Sequence, residues 1–161
     1  MSAIIDTRVA DAWRVLESVR DPELPALSVR ELGMIREVRE AAGTLEVVFS
    51  PTYSGCPATE VIERAIGDAL NAAGLGPARV IRRLSPPWTT DWIDEVGRRK
   101  LREHGIAAPG AASTPQLRQA VSCPRCGAPH TERLSAFGST PCKALYRCVA
   151  CREPFEHVKP I

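Results

Sequence analysis

The chain has 161 residues, 21 Lys and Arg against 19 Asp and Glu for a formal charge of +2, and 44% hydrophobic residues. That suffices for one ordinary domain, or for a domain of about 100 residues plus a small module, and the charge is too low to draw the chain strongly to nucleic acid or anionic lipid. No apolar run approaches the ~20 residues of a membrane span, and Asp6, Arg8, Asp11, Arg14, Glu17 and Arg20 break up any signal-peptide core, so the expected location is cytoplasmic.

Val9, Ala12, Trp13, Leu16 and Val19 trace one face of a helix from about Asp6 to Arg20, with Asp6 or Thr7 as its cap. Asp21-Pro22-Glu23-Leu24-Pro25 ends it, because the residue before a proline avoids the α region. Asp21 and Glu23 thereby place two carboxylates in a stiff loop, which by itself reads as a solvated turn. Met34–Arg39 is expected as a strand, turned through Ala41–Thr44 into a second strand at Leu45–Phe49.

Pro51-Thr52-Tyr53-Ser54-Gly55-Cys56-Pro57 follows, and then Val61, Ile62, Ala65, Ile66, Ala69, Leu70 and Ala73 recur at helical spacing up to Gly74, the expected C′ residue. Pro57 suits the first helical position, where its missing N–H would have had no partner. Cys56 then stands at the head of a helix, facing unpaired N–H groups and the positive end of the macrodipole, an environment that favours thiolate. It reads as a nucleophile or soft-metal ligand, and equally as a small buried hydrophobe.

Ala78–Leu84 is expected as a third strand, reached by a right-handed crossover. Pro86-Pro87-Trp88 with Trp92 adds a rigid apolar segment that permits a homodimer, and Thr90 or Asp91 would cap a further helix running to Gly105. The run Arg98-Arg99-Lys100 with Arg102 reads as a solvated face rather than a nucleic-acid site. The fold class is therefore α+β: a small mixed sheet in the order α-β-β-α-β-α over residues 1–106, a linker rich in Ala, Pro and Gly over 107–120, and a small module over 121–161.

That module carries Cys123-Pro-Arg-Cys126 and Cys148-Val-Ala-Cys151. In a cytoplasmic chain the cysteines read as metal ligands or reactive thiols rather than as disulfides. Each pair can aim two thiolates at one ion, and the spacing suits a zinc ribbon with strands at Ala144–Arg147 and Glu153–Val158. A module of this size has too small a core to fold alone, so metal binding supplies the missing free energy. A closed four-thiolate site makes the ion structural, and the cage suits zinc and iron alike. Cys142, beside Lys143, is either reactive or a buried structural thiol.

Asp21-Pro22-Glu23, Glu31-Leu32-Gly33-Met34-Ile35, Thr52 four residues before Cys56-Pro57, and Pro86-Pro87-Trp88 before a helix together resemble the small domain of iron–sulfur assembly factors related to SufT. With the four-cysteine module, Phe137-Gly138-Ser139-Thr140 and Cys142-Lys143-Ala144-Leu145, the whole chain is similar to the PaaD-type family of the phenylacetate-degradation oxygenase cluster. Glu31 stands where many relatives carry Asp, which keeps a carboxylate at that position. The resemblance implies an accessory protein, not an enzyme by itself, serving a multicomponent phenylacetyl-CoA epoxidase. It implies that Cys56, with Asp21, Glu23 and Thr52, transiently holds iron or an iron–sulfur cluster or engages a client. The partners it implies are the other components of the oxygenase system, foremost the flavin and [2Fe–2S] reductase. A structural component of the same complex, joined through the ribbon and a Trp88/Trp92 surface, is the alternative.

Overall fold

The computed structural model describes residues 2–53, 55–112 and 120–161, with residues 2–6 as backbone only. It divides into two compact units, Met1–Trp88 and Thr89–Ile161.

The first unit opens with helix α1, Ser2–Leu16. Asp6 and Thr7 therefore lie within the helix rather than capping it. Three tight turns, ending with the Val19 amide on the Leu16 carbonyl at 3.3 Å, carry the chain out before Asp21. Strands β1 (Ile35–Ala41) and β2 (Thr44–Phe49) form the expected antiparallel hairpin. Its two central residues, Ala42 and Gly43, have φ of 48° and 78°, the mirror-image turn whose twist matches that of paired strands. Helix α2, Thr59–Ala72, buries Ile62, Ile66 and Leu70 at four-residue intervals. At its end the Leu75 amide reaches the Leu70 carbonyl at 2.9 Å and the Gly74 amide that of Asn71 at 3.0 Å, with Gly74 at φ 73°. These are the paired bonds of a Schellman cap. Strand β3, Ala78–Arg82, then lies parallel to β2, completing a sheet of order β1-β2-β3.

Strand β2 is central, and Leu45, Val47, Val48 and Phe49 are all fully buried. Glu46 is buried too, which a strand interior tolerates only with charge partners. Arg39 Nε of β1 donates to it at 2.8 Å and Arg79 Nη2 of β3 at 2.5 Å. The Arg39 hydrogen bond, seconded by Arg79, holds the Glu46 carboxyl below the usual carboxylate range. Helix α1 packs on β1, α2 packs on β3, and the helices touch each other. The Arg8 guanidinium ties α1 to β1 and to two of the unit's connections. It donates to Glu40 Oε1 at 2.9 Å and to the carbonyls of Gly43 at 3.2 Å, Leu75 at 2.8 Å and Gly76 at 3.1 Å.

Trp88 corrects an expectation. Its indole is buried and donates to the Leu32 carbonyl at 2.8 Å, so it anchors the first unit rather than offering a surface. Trp92, in the second unit, is half-buried.

In the second unit a 3-10 turn, Thr90–Trp92, precedes helix α3, Glu95–Glu103. The helix cap is Asp94, whose carboxylate accepts from the Gly97 amide at 2.7 Å, because the 3-10 turn has already used Thr90 and Asp91. Arg98 belongs to the fold rather than to a solvated face. It donates to the carbonyls of Ile93 at 3.2 Å, Pro109 at 2.7 Å and Thr90 at 2.8 Å. Strand β4, Ile106–Ala107, follows α3 directly and pairs with the last strand. The helix expected to close the first domain thus sits with the ribbon, and Ala107 is strand rather than linker. Of the expected linker, residues 113–119 lie outside the described residues.

The ribbon sheet has the order β4-β7-β6-β5, with β5 at Thr131–Ser135, β6 at Lys143–Cys148 and β7 at Pro154–Val158. Strands β4 and β5 add to the two that the sequence announced. No helix among the described residues is long and apolar enough to cross a membrane.

Replacing Arg8 by Ala should lower the urea-unfolding free energy of the first unit by about 1–3 kcal/mol. Arg8→Lys should recover little of that loss, since an ammonium cannot present two parallel forks of donors. Unchanged midpoints in both variants would show that the clamp contributes nothing.

Candidate functional site

The two cysteine pairs fold alike. In the first, the Gly127 amide donates to the Cys123 carbonyl at 2.9 Å, and in the second the Arg152 amide donates to the Cys148 carbonyl at 3.0 Å. Gly127 and Arg152 both take positive φ, 75° and 68°, which turns each pair back on itself. The result brings all four sulfurs within 4.8 Å of one another, with Cys123–Cys151 at 3.7 Å and Cys126–Cys148 at 3.6 Å. A tetrahedral zinc–thiolate site with Zn–S of about 2.3 Å sets its sulfurs about 3.8 Å apart, so the cage fits the ion.

The electrostatics give the same reading. The Cys151 amide, joined by that of Ala150, holds the Cys148 thiol down to about 7. Cys151 is pushed up to about 12: the Glu153 amide favours its thiolate, but burial and the three neighbouring thiols override it. The thiolate favoured at Cys148 is thus disfavoured at Cys151, and a dication at the centre removes that conflict. Cys123 and Cys148 are buried, Cys151 is half-buried and Cys126 is exposed. The cysteines are also core residues, since Cys123 and Cys148 share a cluster with Ala107, Val121 and Phe155.

The ribbon's two histidines, His130 and His157, do not belong to the ligand cluster. His130 is exposed. His157 is 4% exposed and packs edge-on against Tyr146 with centroids 5.4 Å apart. Burial pushes its imidazole down to about 4. Cys142 is half-buried, with its sulfur 3.0 Å from Thr140 Oγ1.

In the first unit, Cys56 is 8% exposed. Its amide donates to the Tyr53 carbonyl at 3.2 Å and its own carbonyl accepts from the Thr59 amide at 3.1 Å. The regular helix begins at Thr59 rather than at Pro57, but Ala58 already has helical φ and ψ of −75° and −14°. The thiol residue therefore stands just outside the α2 winding, as the sequence suggests. Thr52 is half-buried in the same loop, and Ser54 lies outside the described residues.

Asp21 is 5% exposed and so no solvated turn residue. Its Oδ1 accepts from the amides of Glu23 and Leu24, both at 2.8 Å, which fixes the loop. Glu23 is half-buried. Glu31 caps a turn reciprocally with Ser28: the Ser28 amide reaches Glu31 Oε2 at 2.9 Å and the Glu31 amide reaches Ser28 Oγ at 3.1 Å. The Ser-x-x-Glu spacing is the signal that would have found it.

Two side chains that sequence reasoning passed over bracket the thiol loop. Ser50 is fully buried and Thr59 is 5% exposed. Their hydroxyl oxygens are buried without a hydrogen-bond partner.

Comparison with known proteins matches each half of the chain to a family. Residues 10–80 match the family described as iron-sulfur cluster assembly protein, and residues 107–159 match the PaaD zinc beta ribbon domain. The whole chain is 45% identical, over 98% of the relative's length, to an Escherichia coli (strain K12) protein named as one of the subunits of 1,2-phenylacetyl-CoA epoxidase. A Porphyromonas gingivalis protein named Fe-S protein maturation auxiliary factor is 31% identical over 87 residues, spanning 53% of this chain and 82% of the relative. The crystal structure of a domain of unknown function, DUF59, from Bacillus anthracis superposes with a TM-score of 0.58 at 21% identity, over 63% of this chain and 97% of that one. It shows the same fold for this part of the chain.

Elemental analysis should find close to one zinc per chain in the wild type and in Cys56→Ala, and loss of the metal in Cys148→Ser, with collapse of the ribbon's circular dichroism. Zinc retained by Cys148→Ser would show that the cage is not the site. A second expectation concerns pH. Because His157 binds its proton less readily folded than unfolded, its contribution is full above about pH 6.5 and is lost as pH falls toward 4, amounting to roughly 3 kcal/mol at most. Denaturant titrations of zinc-loaded His157→Phe should therefore show a flatter decline between pH 7 and pH 5.5 than wild type. An identical slope would rule the ring out.

Proposed function

The chain belongs to the PaaD-type family of phenylacetyl-CoA epoxidase components, and from that premise we propose that it is an accessory factor that assists iron–sulfur cluster or iron-centre assembly in a partner of the epoxidase system. The observation that carries this reading is the pairing of two parts in one chain. A thiol stands at the head of a long helix in a unit matching iron–sulfur assembly proteins, and a four-sulfur cage closes a second unit.

In this reading Cys56 receives iron or a cluster as cargo, or engages the client directly. Asp21 shapes the neighbouring loop through its two amide bonds, while Thr52 and Glu23 contribute to the same surface. Zinc, when bound, would be held by Cys123, Cys126, Cys148 and Cys151, and it supplies charge neutralisation and fold rather than reactivity. The ribbon then serves as the docking piece, with the flavin and [2Fe–2S] reductase as its partner. The chain performs no turnover of its own.

The depth of Cys56 favours one competing reading. A thiol that is 8% exposed also fits a structural component that holds oxygenase proteins together without handling cargo.

Expressing the reductase with wild-type chain, without it, and with Cys56→Ala separates the two. Several-fold lower cluster content in the last two cultures is the expected result. Equal loading in all three, with the chain co-purifying stoichiometrically, would overturn the maturation role in favour of the structural one.

A further inference from the structure

Strand β5 ends the ribbon sheet, and among the described residues no strand pairs with its outer edge. The Val149 amide donates to the His130 carbonyl at 3.0 Å, and further along Thr131 lies opposite Cys148 and Arg133 opposite Tyr146. Bonded and unbonded pairs alternate along an antiparallel ladder, so Thr131 and Arg133 fall in unbonded pairs and their N–H and C=O groups point outward. The Cys148 amide agrees, since it turns the other way, to the Glu153 carbonyl at 3.1 Å. Beside this edge, Arg133, Tyr146, His157 and Lys159 line a cavity of about 20 Å³, room for a single water-sized group. Charge around it is lopsided. Glu132 is held by Arg147, and Glu156 by Lys143 at 2.9 Å. Over residues 121–161 that leaves Glu153 against Arg125, Arg133, Arg152 and Lys159. Arg133 is exposed, and Lys159 Nζ meets the Ala136 carbonyl at 3.2 Å and the Phe137 ring, 4.6 Å from its centroid. Among the described residues no carboxylate pairs with either cation. Leu134 and Phe137 add exposed apolar surface on the strand and just after it.

Charged side chains on an edge strand commonly prevent indiscriminate pairing. Here the uncompensated charge has one sign, so it repels a second copy of the same edge and attracts a strand of opposite sign. A cavity of this size admits the end of one carboxylate side chain and no larger anion. We propose that the β5 edge is a docking site for an extended acidic segment of a partner protein. The segment adds as a strand to the outward groups of Thr131 and Arg133. Its alternate side chains fall on the Arg133 face, where one carboxylate meets the Arg133 guanidinium and the Lys159 ammonium. Main-chain bonds give such a strand its affinity, and the carboxylate gives its register. This deepens the reading of the ribbon as the docking piece and rests on it. It adds which edge is used and what chemistry the partner presents.

A fluorescent peptide in which Glu alternates with Thr tests this on the full-length, zinc-loaded chain. Its controls are the same peptide with Gln for Glu and one N-methylated along the backbone. The wild-type chain should bind the Glu peptide about tenfold more tightly than either control, the factor expected from a single charge-assisted hydrogen bond. Titration should move the Thr131 and Arg133 amide resonances. Arg133→Ala should lose about the same factor with its zinc content unchanged, and Arg133→Glu should instead prefer a peptide with Lys for Glu. Equal binding of the Glu and Gln peptides, an affinity that Arg133→Ala leaves unchanged, or resonances that move only elsewhere overturns the proposal. So does equal binding of the N-methylated peptide, which would mean that the cavity takes a carboxylate without a strand. Dimerisation of the wild type that Arg133→Glu abolishes also overturns it, in favour of a second copy as the occupant. If Arg133→Ala fails to hold zinc, the peptide controls on the wild-type chain decide alone. Capture of the reductase separates this inference from the docking reading. A reductase that co-purifies equally with wild type and Arg133→Ala keeps the ribbon as the docking piece and removes this edge. A Glu peptide bound at β5, beside a reductase that never co-purifies, removes the reductase as partner and leaves the edge site standing.

Discussion

Four thiols within 4.8 Å of one another cannot all ionise unless a cation stands among them, and the second unit is organised around that constraint. Two of its five clustered core residues are cysteines, so residues that would hold the ion also pack with Ala107 of β4 and Phe155 of β7. Among its described residues the first unit has no such device. It relies on a strand buried on both faces, two helices and an arginine that gathers carbonyls from two connections.

The chemistry is divided accordingly. In the ribbon, buried charge is compensated. Lys143, itself buried, meets Glu156 at 2.9 Å, and although burial would raise the Glu156 carboxyl, the Ser139 amide and the Lys143 ammonium hold it below the usual range. Among the described residues of the first unit the compensation is incomplete at two hydroxyls, those of Ser50 and Thr59. A fold that satisfies Glu46 with two guanidinium groups and Asp21 with two amides leaves Ser50 and Thr59 unsatisfied.

What the sequence made legible was local. The cysteine spacing announced the cage because ligands three residues apart can meet only through a tight turn, and Ala41–Thr44 announced a hairpin because positive φ is confined to few residues. The helix after Cys56 was legible from Ile62, Ile66 and Leu70. Strands β4 and β5 were not: Ile106-Ala107 is too short to show a period, and Thr131-Glu-Arg-Leu-Ser135 is an edge strand with little burial to impose alternation. The depth of Cys56 and Asp21, and the burial of Trp88 against Leu32, depend on residues distant in sequence. The cap of α3 was misplaced by the 3-10 turn that intervenes.

The hairpin between β1 and β2 has one more consequence. Its two-residue turn fixes Arg39 opposite Glu46 and Val38 opposite Val47. Side chains alternate between faces along a strand, so a slip of one position would turn Glu46 to the opposite face and carry Val47 to the side where Arg39 and Arg79 meet Glu46. The turn is thus a length standard for the whole sheet: insertions and deletions, which surface loops commonly absorb, have no room to accumulate at Ala42-Gly43.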